Sequence, residues 1–252
     1  MRPPRLASLV TLLAVASAAF AIAAPAHALT LSWNGDAVVG SGKAVDVARR
    51  IPTFSALRVD GSIDVEAHPA ATPSVSVHVD DNIEPLIETV VEGDTLVIRT
   101  RKGASFTTRS PAHVDVGFPT LTAVRLNGSG NLHVPSISAT KLDITIAGSG
   151  DLAMDNAQLG AFSLRISGSG DASLVGRADE ARFQIAGSGD VSAKDFVARR
   201  VEVSIAGSGD AHVNATETID ARVAGSGDVR YGGHPHDVSR RVSGSGSVSA
   251  SN

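Results

Sequence analysis

Aspartate recurs at one fixed place in the second half of this chain, and these side chains could carry chemistry. Each follows a Gly-Ser-Gly phrase, and Asn131 holds the same place after the first phrase. The acids are Asp151, Asp171, Asp190, Asp210 and Asp228. Paired carboxylates can hydrolyse a polysaccharide, clustered carboxylates can bind Ca²⁺, and aspartate or asparagine can close a turn by accepting backbone N–H groups. Three hypotheses follow: a carbohydrate-active site, a weak Ca²⁺ site and a structural corner.

Repetition favours the structural corner. A catalytic centre is unique along a chain, whereas a corner device recurs in every repeat. The known Ca²⁺-binding repeat has nine residues and a Gly-Gly-x-Gly-x-Asp pattern, which does not match this sequence. We therefore predict that the chain has no catalytic, cofactor-binding or metal site and that the protein uses no cofactor.

Other reactive residue types form weaker patterns. The histidines after residue 28 are scattered: His68, His78, His113, His133, His212, His234 and His236. Only His234-Pro235-His236 is local, and two ligands make an incomplete metal site, so we predict an exposed turn there. The doublets Arg199-Arg200 and Arg240-Arg241 are interpreted as solvated strand starts. Trp33 is the sole tryptophan, so the aromatic platform typical of tight sugar binding is missing.

The elements that position the aspartates are repeats. The phrase occurs seven times, and successive first glycines lie 18 to 20 residues apart, at Gly128, Gly148, Gly168, Gly187, Gly207, Gly225 and Gly244. Apolar residues recur at offsets −6, −4, −2, +4 and +6 from each first glycine. A period of two indicates β-strands with one buried face. We predict a β-solenoid with two short strands per coil, in which paired glycines supply positive φ where a Cβ would collide with neighbouring coils.

The remaining segments divide the chain further. Residues 54–121 are β-rich and are either irregular early coils or, in part, a small sheet that caps the first coil, which we favour. Residues 122–252 form the β-helix with its seven turns. Residues 29–53 are an N-terminal segment of uncertain order, rich in Gly and Ala up to residue 50. Residues 101–113 lack any pattern and are predicted to be a mobile loop. The last coil has an edge that is either frayed or paired with a second copy, which would make a homo-oligomer.

The first 28 residues resemble a secretory signal. Arg2 and Arg5 precede an apolar stretch, and Ala26-His27-Ala28 fits a small-x-small cleavage site. An uncleaved membrane anchor is the alternative, although the stretch is short for a span. No other segment is long and apolar enough to cross a bilayer as a helix. We expect an exported protein in the periplasm, on the cell surface or in the medium.

Composition excludes several classes of partner and chemistry. The formal net charge is −4, and cleavage of the leader removes two arginines, so nucleic acid is not an expected partner. The chain has no cysteine, which excludes disulfides, thiolate metal sites and cysteine catalysis. Stability must therefore come from the core and the backbone hydrogen bonds.

From residue 54 onward the chain resembles the family named putative autotransporter adhesin, head GIN domain. The motifs that carry the resemblance are Gly61-Ser62-Ile63-Asp64-Val65, Glu92-Gly93-Asp94-Thr95-Leu96-Val97-Ile98, Phe118-Pro119-Thr120-Leu121, the Gly-Ser-Gly-Asp coils and Tyr231-Gly232-Gly233-His234-Pro235. The resemblance implies a right-handed parallel β-helix on a secreted or cell-envelope protein of bacteria. It brings no catalytic residues to this sequence.

We therefore predict a non-enzymatic, adhesin-like module that offers a flat polar face to an envelope polysaccharide or a surface protein. A carbohydrate-active β-helix enzyme and a periplasmic scaffold are the alternatives. An enzyme would show one non-repeating cluster of acidic and basic residues across two or three neighbouring coils.

Overall fold

The Gly-Ser-Gly phrases lie one above another in the computed structural model, which describes residues 37–251. Gly128 pairs in parallel register with Gly148, and each later first glycine pairs with the next, up to Gly225 with Gly244. Each coil therefore hydrogen-bonds to its neighbours. This confirms the predicted all-β parallel solenoid with one coil for every 18 to 20 residues.

Nineteen strands and one short 3-10 helix make up the described residues. The solenoid strands are β10 Ala123–Gly128, β11 Leu132–Val134, β12 Ile137–Gly148, β13 Leu152–Gly168, β14 Ala172–Gly187, β15 Val191–Gly207, β16 Ala211–Gly225, β17 Asp228–Gly232, β18 Asp237–Gly244 and β19 Ser247–Ala250. The preceding elements are β1 Val38–Val39, β2 Ala44–Arg49, β3 Ala56–Gly61, β4 Asp64–Pro69, β5 Ser74–Asp80, the 3-10 helix Glu84–Leu86, β6 Ile87–Glu92, β7 Thr95–Thr100, β8 Phe106–Thr107 and β9 His113–Phe118. Across residues 37–251 the structure contains no helix of the length and apolarity that a membrane span requires.

The central coils differ from the prediction of two short strands per coil. Strands β13 to β16 are each continuous for 15 to 17 residues. In β13, pairs of non-buried residues interrupt the inward alternation twice, so the strand presents three inward stretches to the core. The unpredicted middle stretch holds Ala157 and Leu159 in β13, and Phe196 and Ala198 in β15. Register shifts near this stretch absorb the differences in coil length.

The core consists of columns of like residues. In the coils from Gly148 to Gly225, every residue at the five predicted apolar offsets is buried. Phe162 and Phe183 from adjacent coils meet edge to face with ring centroids 6.0 Å apart, and Phe196 lies 5.4 Å from Phe162. Because no single coil could bury its apolar residues alone, stacking creates the core.

The N-terminal part continues the stack and then closes it. Strands β3 and β4 lie parallel beneath β10 and β11, and Gly61 pairs with Gly128. Gly61-Ser62-Ile63-Asp64 is thus an eighth corner. A search for Gly-Ser-Gly does not find it, because Ile63 stands in place of the second glycine. Antiparallel pairs then cover this end: β2 with β5, β5 with β9, and β6 with β7.

A buried carboxylate holds two loops against this sheet. Asp80 is fully buried and accepts hydrogen bonds from the backbone N–H groups of Gly42 and Arg109, at 3.0 and 2.7 Å, and from the Ser110 hydroxyl at 2.7 Å. The backbone N–H of Arg109, together with both donors of Ser110, holds the pKa of Asp80 below its ordinary value despite desolvation. Asp80 therefore holds residues 109 and 110 of the segment 101–113 in place. Strand β8 of this segment pairs with β1.

The C-terminal coil ends in an edge with no described partner strand on its outer side. Strand β18 pairs with β16 and β19 pairs with β17. Arg240 is in register with Ala221 of a core column, and its guanidinium lies 5.1 Å from the Tyr231 ring centroid and donates to the Tyr231 hydroxyl. Arg240 is thus placed over the open end of the core and stays exposed near the start of β18, in agreement with its interpretation as a solvated residue. Pairing of this edge with a second copy stays a prediction.

We predict that Ile205→Ala lowers the free energy of unfolding by about 2–5 kcal/mol. Ile205 is 1% exposed and lies in register between Ile185 and Val223, so the truncation leaves a cavity that the stacked neighbours cannot fill. Urea unfolding followed by circular dichroism measures the loss. Ser204→Ala, one residue away on the outward side, is the control. An Ile205→Ala midpoint equal to that of the wild type would show that the strand register is wrong.

A second prediction concerns acid. Because the folded-state pKa of Asp80 is depressed, its stabilisation is present above the ordinary pKa of 3.8 and is lost as pH falls through the folded-state value. Asp80→Asn should therefore destabilise the protein at pH 5 to 7, and the gap to wild type should shrink below about pH 3.8. Urea unfolding at a series of pH values measures the gap. Asp179→Asn, at an exposed position, is the control, and a gap that stays constant to pH 2.5 would contradict the assignment.

Candidate functional site

The residues that follow the Gly-Ser-Gly phrases stack into one column, here called the aspartate column: Asn131, Asp151, Asp171, Asp190, Asp210 and Asp228. This column forms a ladder of side-chain to backbone hydrogen bonds. Each Oδ1 accepts the backbone N–H of the corresponding residue one coil further along, at N···O distances of 2.7–3.0 Å. The ladder begins at Asp64, whose Oδ1 accepts Asn131 N–H, and ends where Asp228 accepts both the N–H and the hydroxyl of Ser247. The structural-corner hypothesis is correct in that the aspartates accept backbone N–H groups. Each donor, however, lies in the next coil rather than in the same corner.

The corner itself explains why an acceptor is needed there. The serine N–H of each phrase donates to the first glycine of the preceding coil, as Ser149 does to the Gly128 carbonyl at 2.8 Å. The next backbone donor after the second glycine belongs to the aspartate, and a carboxylate from the coil below accepts it. The exposed column is therefore hydrogen-bonded from within the protein.

The two glycines of each phrase have different roles. The first glycines adopt φ values of +126° to +141°, which glycine accommodates readily. The second glycines have no such φ, but a Cβ on any of them would lie 2.1–2.2 Å from a carbonyl oxygen of the coil below. The prediction of positive φ is therefore correct for the first glycine only, while close approach excludes a side chain at both.

A groove of about 620 Å³ runs beside the aspartate column. Its floor includes the outward residue two positions after each aspartate, and these are small in the middle coils: Ala153, Ser173 and Ser192. These floor residues stack in register with larger side chains at both ends. Glu66 and His133 lie on the N-terminal side, and His212 follows Ser192 on the C-terminal side. Small side chains between larger ones create the depression.

A histidine cluster lies at the N-terminal end of this groove. His78 on β5 hydrogen-bonds Asp46 through Nδ1 and Asp115 through Nε2, the latter at 2.6 Å. Desolvation lowers the pKa of His78, but the hydrogen bonds to Asp46 and Asp115 outweigh it, so the pKa lies above its ordinary value. His113 stacks on His78 with ring centroids 4.4 Å apart. Sequence reasoning missed this cluster, because its members meet only through antiparallel pairing.

Within residues 37–251, the metal-ligand cluster includes no histidine other than His78 and His113. His133 pairs with Asp155 at 2.7 Å, and His212 with Arg230 at 3.1 Å. His234 has a φ of 56° in the exposed turn that the sequence predicts. Arg199 and Arg200 form ion pairs across coils with Glu217 and Glu180.

A second outward face is also charged but is internally neutralised. Glu202 lies between Arg182 and Arg222 from the adjacent coils, at N···O distances of 2.8 and 3.1 Å. By contrast, within residues 37–251 no lysine or arginine forms an ion pair with an aspartate of the column. The column therefore has more free acceptor capacity than the neutralised face.

The chain belongs to the family described as putative auto-transporter adhesin, head GIN domain. The family matches residues 53–235, which include the capping strands, the corners and the groove. This agrees with the resemblance that the sequence motifs indicate. No curated protein matches the chain.

Solved structures support the same fold. A putative adhesin from Bacteroides fragilis is 26% identical and superposes with a TM-score of 0.82 over 85% of this chain and all of its own. A putative lipid binding protein from Parabacteroides distasonis is 27% identical with a TM-score of 0.73, covering 86% of this chain and all of its own. A putative adhesin from the same organism is 25% identical with a TM-score of 0.70 and the same coverage.

We predict that Asp190→Asn is nearly neutral. Asp190→Ala should cost about 1 kcal/mol, because loss of a hydrogen bond to a charged acceptor is partly offset by relief of the repulsion between adjacent carboxylates. An asparagine Oδ1 can accept the Asp210 N–H as Asn131 accepts that of Asp151, but alanine leaves this donor without its partner. Urea unfolding measures both changes. Ca²⁺ at low millimolar concentration should raise the melting temperature no more than a monovalent salt of equal ionic strength. A Ca²⁺-specific rise that Asp190→Asn abolishes would contradict this account.

Proposed function

We propose that this protein is a non-enzymatic, adhesin-like module of the bacterial exterior or cell envelope. In this proposal it binds an envelope polysaccharide, or another polymer rich in hydroxyl and amide groups, in the groove beside the aspartate column. The family supports an extracellular or surface location. Export through residues 1–28 stays a prediction, because those residues lie outside the described part of the chain.

The observation that carries this proposal is the chemistry of the groove lining. Carboxylates from successive coils line one side of it, and their Oδ1 atoms are occupied by backbone N–H groups. Ionised carboxylates accept hydrogen bonds and donate none. A suitable occupant therefore supplies donors repeatedly along its length, as a polyhydroxylated polymer does. Acidic polymers are disfavoured by the negative charge of the column.

The ladder also supports a binding role over a catalytic one. Acid–base hydrolysis by two carboxylates needs partners in unlike surroundings, so that one is protonated while the other is ionised. In the column each aspartate makes the same contact with the coil above it. The equivalence suits a surface that repeats one interaction along a polymer.

A binding screen tests the proposal. Purified protein is applied to immobilised glycans and to envelope fractions, and each bound polysaccharide is checked for shortening. Lipid vesicles are included, because one structural relative is named a lipid binding protein. We expect polysaccharide binding without shortening.

Matched variants locate the binding surface. Ser173→Arg fills the groove floor, and Ser138→Arg makes the same change at an exposed strand position outside the groove. Binding should fall at least tenfold in the first and stay unchanged in the second. Equal binding by both variants would contradict the groove as the site, and depolymerisation of the ligand would contradict the non-enzymatic role.

A further inference from the structure

The histidine cluster contains three potential metal ligands on two adjacent strands. His78 lies on β5, and His113 and Asp115 lie on β9, where antiparallel pairing puts His78 opposite His113. One ligand atom from each of the three lies within 4.8 Å of the others. We propose that His78, His113 and Asp115 bind a divalent transition metal of the zinc type.

The Asp115 carboxylate occupies the centre of the cluster. Its Oδ2 is 2.6 Å from Nε2 of His78 and 3.8 Å from Nε2 of His113. Zinc sites place imidazole nitrogen and carboxylate oxygen about 2.0–2.2 Å from the ion. Rotation of the side chains is therefore needed to bring the three ligand atoms around one ion.

Asp46 prepares His78 for this role. It holds Nδ1 of the ring, which leaves Nε2 directed toward Asp115. Histidine ligands in metal sites commonly bind a carboxylate or carbonyl through the second ring nitrogen, and this contact fixes the ring orientation and the tautomer. Asp46 is thus a positioning residue rather than a ligand.

The stacked rings must separate when the metal binds. The two imidazole planes are 13° from parallel, and a coordinated ion lies near the plane of each ring that binds it. The side chains of His78 and His113 are 25% and 42% exposed, so solvent offers room for both to turn. Separation of the two rings on metal binding would change the resonances of both imidazoles. An ion pair among the same residues would not produce this change.

The ligand types select the metal. Two imidazoles and one carboxylate match the three-ligand sites that leave a fourth position open in zinc proteins. Ca²⁺ and Mg²⁺ prefer oxygen ligands, so this cluster discriminates against both. His113 also lines the groove, which places the open coordination position at the groove's N-terminal end.

Calorimetric titration of the full chain with ZnCl₂ tests the proposal, with CaCl₂ in parallel. We expect one Zn²⁺ per chain and no competition from Ca²⁺. His113→Ala and Asp46→Asn should each weaken Zn²⁺ binding by about 10- to 100-fold. His212→Ala is the control, because His212 lies outside the cluster, in register with Ser192 of the groove floor. This variant should bind Zn²⁺ as the wild type does. Circular dichroism without metal establishes that each variant is folded.

Nuclear magnetic resonance of the imidazole nitrogens gives an independent readout. Zn²⁺ should shift the Nε2 resonances of His78 and His113 and leave those of His212 unchanged. Absence of binding at 1 mM Zn²⁺, or wild-type affinity in His113→Ala, would overturn the proposal. Because the probe is Zn²⁺ alone, failure here leaves the proposed polymer binding in the groove untouched.

Discussion

The contact on which this structure depends is the approach of the two glycines of each corner to carbonyl oxygens of the corner below. A Cβ on either glycine would lie 2.1–2.3 Å from the carbonyl oxygen of the corresponding residue in that corner, closer than van der Waals contact allows. Any other residue at these positions would therefore push adjacent coils apart. Since every coil is aligned at this corner, the contact also sets the register of the strands on both sides of it.

Correct register has two chemical consequences, one inside and one outside. Inside, residues of like type stack into columns, such as Ile185, Ile205 and Val223. Outside, aspartates stack at the edge of the groove. Adjacent carboxylates about 4.8 Å apart repel by about 0.9 kcal/mol in water, whereas a hydrogen bond to a charged acceptor contributes about 1.5–3 kcal/mol. The ladder therefore holds an acidic column together, and the column becomes a repeating acceptor surface.

Much of the architecture could be predicted from the sequence, because an alternating pattern and a repeated corner are local signals. The buried offsets from each Gly-Ser-Gly follow directly from strand periodicity. The middle stretch around Leu159 and Phe196 was missed, because coil lengths vary there and no fixed offset connects the coils. Similarly, hydrogen bonding by the aspartates was predictable from residue type, but the identity of the donor required the stacking geometry.

The histidine cluster shows the limit of sequence reasoning more clearly. His78 and His113 are 35 residues apart, and Asp46 lies 32 residues before His78. The alternation in β5 and β9 could have placed both histidines on an outward face. Only the antiparallel order of β2, β5 and β9 brings them together, and no local motif encodes that order.

Hydrogen exchange of the aspartate amides tests the central claim most directly. The account predicts that the N–H groups of Asp171, Asp190 and Asp210 exchange at least about 100-fold more slowly than in the unfolded chain, although their corners are exposed. In Asp190→Ala, the Asp210 amide should lose this protection while the Ser208 amide, which donates to the Gly187 carbonyl, keeps it. Unprotected aspartate amides in the wild-type protein, beside protected strand amides, would contradict the account.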